Sequence, residues 1–160
     1  MKTSEARQNK VSLLDVNVLI ALIDPAHEFH GSAHAWFKRN RQDGWATCPI
    51  TENGCLRIMS KPGYPFPGLT VKQVRKILAE LVKVEGHRFW PDSYSMLEAS
   101  RFDLKEAGPK HLTGLYLLGL AVSFGGRLVT FDQTIRWQAV TGCQPEDLRA
   151  LSANPAEPNA

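Results

Sequence analysis

The chain has 160 residues, 43% of them apolar and 22% charged, with a formal net charge of +3. That is enough chain for one domain with a real core, and the mild positive charge permits an RNA partner without demanding one. The apolar run over 16–23 is far too short to span a bilayer, no secretory signal pattern opens the sequence, and three cysteines (Cys48, Cys55, Cys143) without Cys-x-x-Cys spacing read as reduced, buried thiols; together these suggest a cytoplasmic protein.

Residues 1–9 are polar and read as a loose arm. A short apolar strand over 11–15 runs straight into Asp15, and a helix follows over 16–23 until Pro25 bars it. The next helix is expected over 32–41, burying Ala33, Trp36 and Phe37 and closed by Gly44. A second strand covers 45–48. Thr51 is expected to cap a third helix, which stops before Lys61-Pro62-Gly63. Residues 62–68 hold three prolines and two glycines and form a loop. Thr70 and Gln73 make a capping box. The helix behind it sets Val71, Val74, Ile77, Leu78, Leu81 and Val82 on one face.

A third strand is expected over 87–90 and a helix over 93–102. Another helix covers 113–124 and stops at Gly125-Gly126. The fourth strand, 128–131, runs into Asp132. A short helix over 134–140 then leads to an edge segment near 148–151. The Pro- and Ala-rich tail over 152–160 is expected to fray, which leaves 10–151 as the domain. Alternating strands and helices of this kind predict an α/β fold, a central parallel sheet with helices on both faces.

In such sheets ligands sit outside the carboxyl ends of the strands. Asp15 and Asp132 end two strands, and Glu52 follows a third. Each acid alone could serve as a helix cap or first-turn acid. Three acids at one sheet edge instead suggest a shared site for a hard cation such as Mg²⁺ or Mn²⁺. Asn17 lies one residue into the following helix, where it could orient Asp15. Arg57 could reach a phosphate near the metal.

Other phosphate chemistries leave signatures that this sequence lacks. There is no P-loop, no Gly-x-Gly-x-x-Gly after the first strand, no Asp-x-Asp at Asp15 and no Gly-x-Ser-x-Gly. A response-regulator domain would want a Lys after the fourth strand, where Asp132 stands. His27, His30 and His34 have a spacing that could suit Zn²⁺. However, Pro25 and Gly31 interrupt that helix, and His34 reads as packing beside Trp36 and Phe37.

With these residues in view, the chain resembles the PIN-domain ribonucleases, and within them the VapC toxins of toxin–antitoxin pairs. Leu14-Asp15-Val16-Asn17-Val18-Leu19 is similar to the first acidic motif of that family. Thr51-Glu52-Asn53-Gly54-Cys55-Leu56-Arg57 is similar to the second. Thr113-Gly114-Leu115-Tyr116-Leu117-Leu118, and then Gly126 through Thr130-Phe131-Asp132, are similar to the third and fourth.

The resemblance implies a Rossmann-like PIN domain and a Mg²⁺- or Mn²⁺-dependent endoribonuclease. Asp15, Glu52 and Asp132 would be its catalytic metal ligands, supported by Asn17, Arg57 and Thr130. It also implies a homodimer and a cognate VapB-like antitoxin. One position departs from the pattern: the family has an acid where this chain has Gly114. The alternative is therefore a weakened or inactive domain that keeps antitoxin and RNA binding.

Overall fold

The computed structural model describes residues 9–65 and 68–152. The arm expected over 1–9 and the tail expected over 152–160 lie, but for residues 9 and 152, outside the described residues. The chain order is β1 (Ser12–Leu14), α1 (Val16–Ile23), α2 (His30–Asn40), β2 (Trp45–Thr47), α3 (Pro49–Met59), α4 (Val71–Leu81), β3 (His87–Phe89), α5 (Leu112–Ser123), β4 (Arg127–Thr130) and β5 (Leu148–Ala150). The five strands form one sheet in the order β3-β2-β1-β4-β5, and every pairing is parallel. The expected α/β architecture is therefore present.

Strand alternation splits the core in two. Leu14, Trp45 and Val129 face a cluster built with α1, α2, α3 and α4. Leu13, Ala46 and Leu128 face another, built mainly with α5 and the segment before it. Every residue of β1 and β2 is buried, which is why these strands read as continuous apolar runs rather than alternating ones. The order reverses at β1, so a crevice opens between the carboxyl ends of β1 and β4. That is where open α/β sheets bind ligands.

Several boundaries differ from expectation for identifiable reasons. α3 starts at Pro49, not Thr51. Proline suits the first helical position, and Thr51 sits in the first turn, where its Oγ1 accepts from Cys48 N at 2.9 Å. α2 starts at His30 and gives way to a 3₁₀ turn over Arg41–Asp43 before Gly44, whose φ of 97° few other residues adopt. On α4 only Val74 and Leu78 are buried; Val71 is 58% exposed, so the apolar stripe is only partly covered.

The helix expected over 93–102 is absent. Ser95 Oγ accepts from Leu97 N and the Glu98 carboxylate accepts from Ser95 N. Local side-chain bonds of this kind compete with the helical ladder. The rings of Tyr94 and Phe102 hold the segment down instead, Tyr94 lying between Phe102 and Tyr116. The helix expected over 134–140 shrinks to a 3₁₀ turn over Trp137–Ala139. Asp132 takes Thr134 N and closes a turn at one end, and Val140 bridges to Phe102 at the other, so neither end of that segment is free to be helical.

Candidate active site

The β1–β4 register builds the centre of the site. Leu14 pairs with Val129, so Asp15 and Thr130 come next in line, and Asp15 N donates to Val129 O at 2.9 Å. Thr130, fully buried, donates its hydroxyl proton to Asp15 Oδ2 at 2.7 Å and accepts from Asp132 N at 3.0 Å. One hydroxyl therefore ties the two acids together. Asp15 Oδ1 accepts from Val16 N at 2.7 Å, so the residue also caps α1. Asp132 Oδ1 accepts from Thr134 N at 2.8 Å and Thr134 Oγ1 at 2.6 Å, while Oδ2 has no hydrogen bond among the described residues.

Electrostatics at this pair favour a cation. Burial raises the pKa of Asp15 above its usual value; the Thr130 hydroxyl and Val16 N–H pull it back, and the charge of Asp132 pushes it up further. Among the described residues, neither acid has a Lys or Arg as a hydrogen-bond partner. Two carboxylates close enough for the charge of Asp132 to raise the pKa of Asp15 suit a hard divalent ion.

Glu52 stands in the first turn of α3, but its side chain turns toward β2. Thr47 Oγ1 donates to Glu52 Oε2 at 2.6 Å and lies 2.8 Å from His87 Nε2. Thr47 has a single proton and gives it to Glu52, so His87 Nε2 is the donor in the second contact. Burial lowers the pKa of His87, against the pull of Glu52. Among the described residues, no group of three or more His, Cys, Asp or Glu side chains is arranged to hold a metal. Asp15 and Asp132 are gathered, whereas Glu52 is held on Thr47 and is not drawn into a group with them. Gly54 lets the helix that carries Glu52 close on α1, since a Cβ there would lie 2.6 Å from Val16 Cγ2.

The remaining predicted residues fall around this centre. Asn17 is exposed, and the hydrogen bonds to Asp15 come from Val16 and Thr130 instead. Arg57 is exposed in the last turn of α3. Gly114 is the third residue of α5, where Ile135 packs over it; a Cβ at 114 would lie 2.9 Å from Ile135 Cδ1.

The three histidines of the alternative Zn²⁺ arrangement are tied to backbone. His27 Nδ1 accepts from Phe29 N, and His30 and His34 bond the carbonyls of Ala21 and Leu22. His34 is exposed rather than packed beside Trp36 and Phe37. Sequence reasoning missed Thr47, His87 and Thr134. Only the last had a local signal, the Asp-x-Thr turn pattern that begins at Asp132.

Thr130 gives the first test. Thr130→Val keeps the shape but removes both bonds at the acid pair. It is expected to lower stability by about 1–3 kcal/mol and RNA cleavage by about tenfold, read from urea midpoints and initial rates.

No family model matches the chain. Curated relatives do. Ribonuclease VapC44 of Mycobacterium tuberculosis is 43% identical over 141 residues, which cover 88% of this chain and 99% of the relative. Ribonuclease VapC39 of the same species is 41% identical over 133 residues, 82% of this chain and 95% of the relative. Ribonuclease VapC38 is 38% identical over 122 residues, 76% and 85% respectively. Kinship at that identity, running through nearly the whole of each relative, places the chain in the VapC ribonuclease family.

Proposed function

We infer that this protein is a Mg²⁺- or Mn²⁺-dependent endoribonuclease, the toxin of a VapBC-like toxin–antitoxin pair. The observation that carries this reading is the Asp15–Thr130–Asp132 linkage at the sheet's switch point, in a chain of the VapC family. Family membership favours this over the inactive alternative that Gly114 raises.

Asp15 and Asp132 would hold the ion, with Glu52 as the third ligand. A bound divalent ion supplies positive charge for the scissile phosphate and makes water more acidic. The protein's own part is to hold the acids ready. Thr130 fixes one oxygen of Asp15, and Thr134 fixes one of Asp132, so each carboxylate is oriented before RNA arrives. Thr47 keeps Glu52 at the rim of the same sheet edge. Arg57, exposed, offers a cation to a neighbouring phosphate.

The partners are an RNA substrate, a small VapB-like antitoxin and a second copy of the chain. No helix among the described residues is long and apolar enough to cross a membrane. The reading is tested on the purified chain with a labelled single-stranded RNA. Internal cleavage is expected with Mn²⁺ and is expected to stop with EDTA. Cleavage that persists undiminished in EDTA would refute the metal-dependent reading.

A further inference from the structure

A cavity of about 520 Å³ is lined by Phe131, which precedes Asp132, by Asn17, two residues after Asp15, and by Asp24, Glu28, Phe29 and Tyr64 among others. Its size lies within the usual range for small-molecule sites, about 300–1,000 Å³.

Its walls are of two kinds. Phe29 and Phe131 are half-buried, with ring centroids 4.6 Å apart and planes inclined at 33°. Opposite in character are two carboxylates. Asp24 is only 5% exposed and accepts from Tyr64 Oη at 2.6 Å and Ala26 N at 2.9 Å. Burial, followed by this bond to Asp24, raises the pKa of Tyr64, so its hydroxyl stays a donor to the carboxylate. Glu28 is exposed at the rim, with no bonded partner among the described residues.

This chemistry selects among the parts of an RNA chain. Carboxylates repel phosphate and can only accept hydrogen bonds. Aromatic faces stack on bases. Enzymes that must reach one nucleotide read a splayed base by stacking and by bonds to its Watson–Crick edge. Guanine presents two adjacent N–H donors on that edge, and uracil presents one.

We propose that this cavity is a nucleobase subsite: it holds the base of the nucleotide next to the scissile phosphate, stacked on the outer face of the Phe29–Phe131 ring pair, with its donor edge toward the exposed carboxylate of Glu28, and it favours guanine over uracil. The proposal rests on the ribonuclease reading above and extends it to substrate choice.

A double-mutant cycle tests it. Phe29→Leu keeps an apolar side chain and removes the ring. Short single-stranded RNAs carry guanine, uracil or an abasic residue beside the cleavage position. Binding is read by fluorescence anisotropy in EDTA, so that metal-dependent cleavage does not intervene.

In the native protein, the abasic RNA is expected to bind about tenfold more weakly than the guanine RNA. In Phe29→Leu that difference is expected to shrink to about twofold, with the protein still folded and its melting temperature lowered by only a few degrees for the lost ring contact. Glu28→Gln, at an exposed position that costs the fold nothing, is expected to bring the affinities for guanine and uracil RNAs together. Additive effects of Phe29→Leu and the abasic change, in a folded variant, would overturn the subsite. The same holds if Glu28→Gln leaves the guanine and uracil affinities as they are in the native protein. Unchanged RNA binding together with loss of antitoxin binding would assign the cavity to a protein contact instead. Failure of the ribonuclease reading looks different: RNA binds with the expected coupling but is not cut when Mn²⁺ is restored.

Discussion

Asp15→Asn is expected to reduce Mn²⁺-dependent RNA cleavage by about a hundredfold or more, while the protein in EDTA melts no lower than the native chain. The two halves of this result have one cause. Burial, opposed in part by Thr130 and Val16 N–H and reinforced by Asp132, holds the pKa of Asp15 above the usual 3.8. The folded protein therefore binds the Asp15 proton more tightly than the unfolded chain does. Stability from this group is complete below pH 3.8 and is lost as pH rises through the elevated folded value. At neutral pH the ionised carboxylate is a cost, which the amide does not carry. A cation offsets that cost only when the carboxylate is present. Adding Mn²⁺ should accordingly raise the melting temperature of the native protein and leave that of Asp15→Asn nearly unmoved. Equal Mn²⁺ shifts in both proteins would remove Asp15 from the site.

Gly114→Asp is the second large effect, in the opposite direction. Residue 114 lies in the first turn of α5, a favourable place for an acid and a poor one for glycine. The space over it is taken by Ile135, whose Cδ1 would lie 2.9 Å from a new Cβ. That atom is the far end of a flexible side chain, so a change of rotamer makes room. In the family pattern the acid at this position belongs to the metal site, so an acid at 114 is expected to deepen the potential that draws the cation to Asp15 and Asp132. Cleavage is expected to rise roughly tenfold, with greater toxicity to a host that lacks antitoxin. Gly114→Asn has nearly the same shape and no charge, and it should not share the gain. If the two variants behave alike, position 114 has no part in holding metal.

These two residues also mark how far the sequence can be read. Asp15 was legible because an apolar strand ran into it without a break, and a strand buried on both faces belongs inside a parallel sheet. The same signal found Asp132. The link between them was not legible. It depends on a register, Leu14 opposite Val129, that joins segments more than a hundred residues apart. The Thr47–His87 support behind Glu52 was hidden in the same way, because it comes from the β2–β3 pairing.

The two missing helices show the opposite failure. Helices are expected over 93–102 and 134–140, but the side chains of Ser95, Glu98 and Asp132 take backbone N–H groups that a helix would need. At Gly114 the sequence exposed the departure from the family pattern and gave no hint of Ile135 above it.

The chemistry of the cut ends tests the central claim most directly. If the acid pair serves a cation that activates water, the attacking oxygen comes from solvent and the RNA 2′-hydroxyl is not consumed. Sequencing-gel and mass analysis of the products should then show a 3′-hydroxyl on one fragment and a 5′-phosphate on the other. A 2′,3′-cyclic phosphate with a 5′-hydroxyl would mean that the RNA supplied its own nucleophile, and would contradict the account.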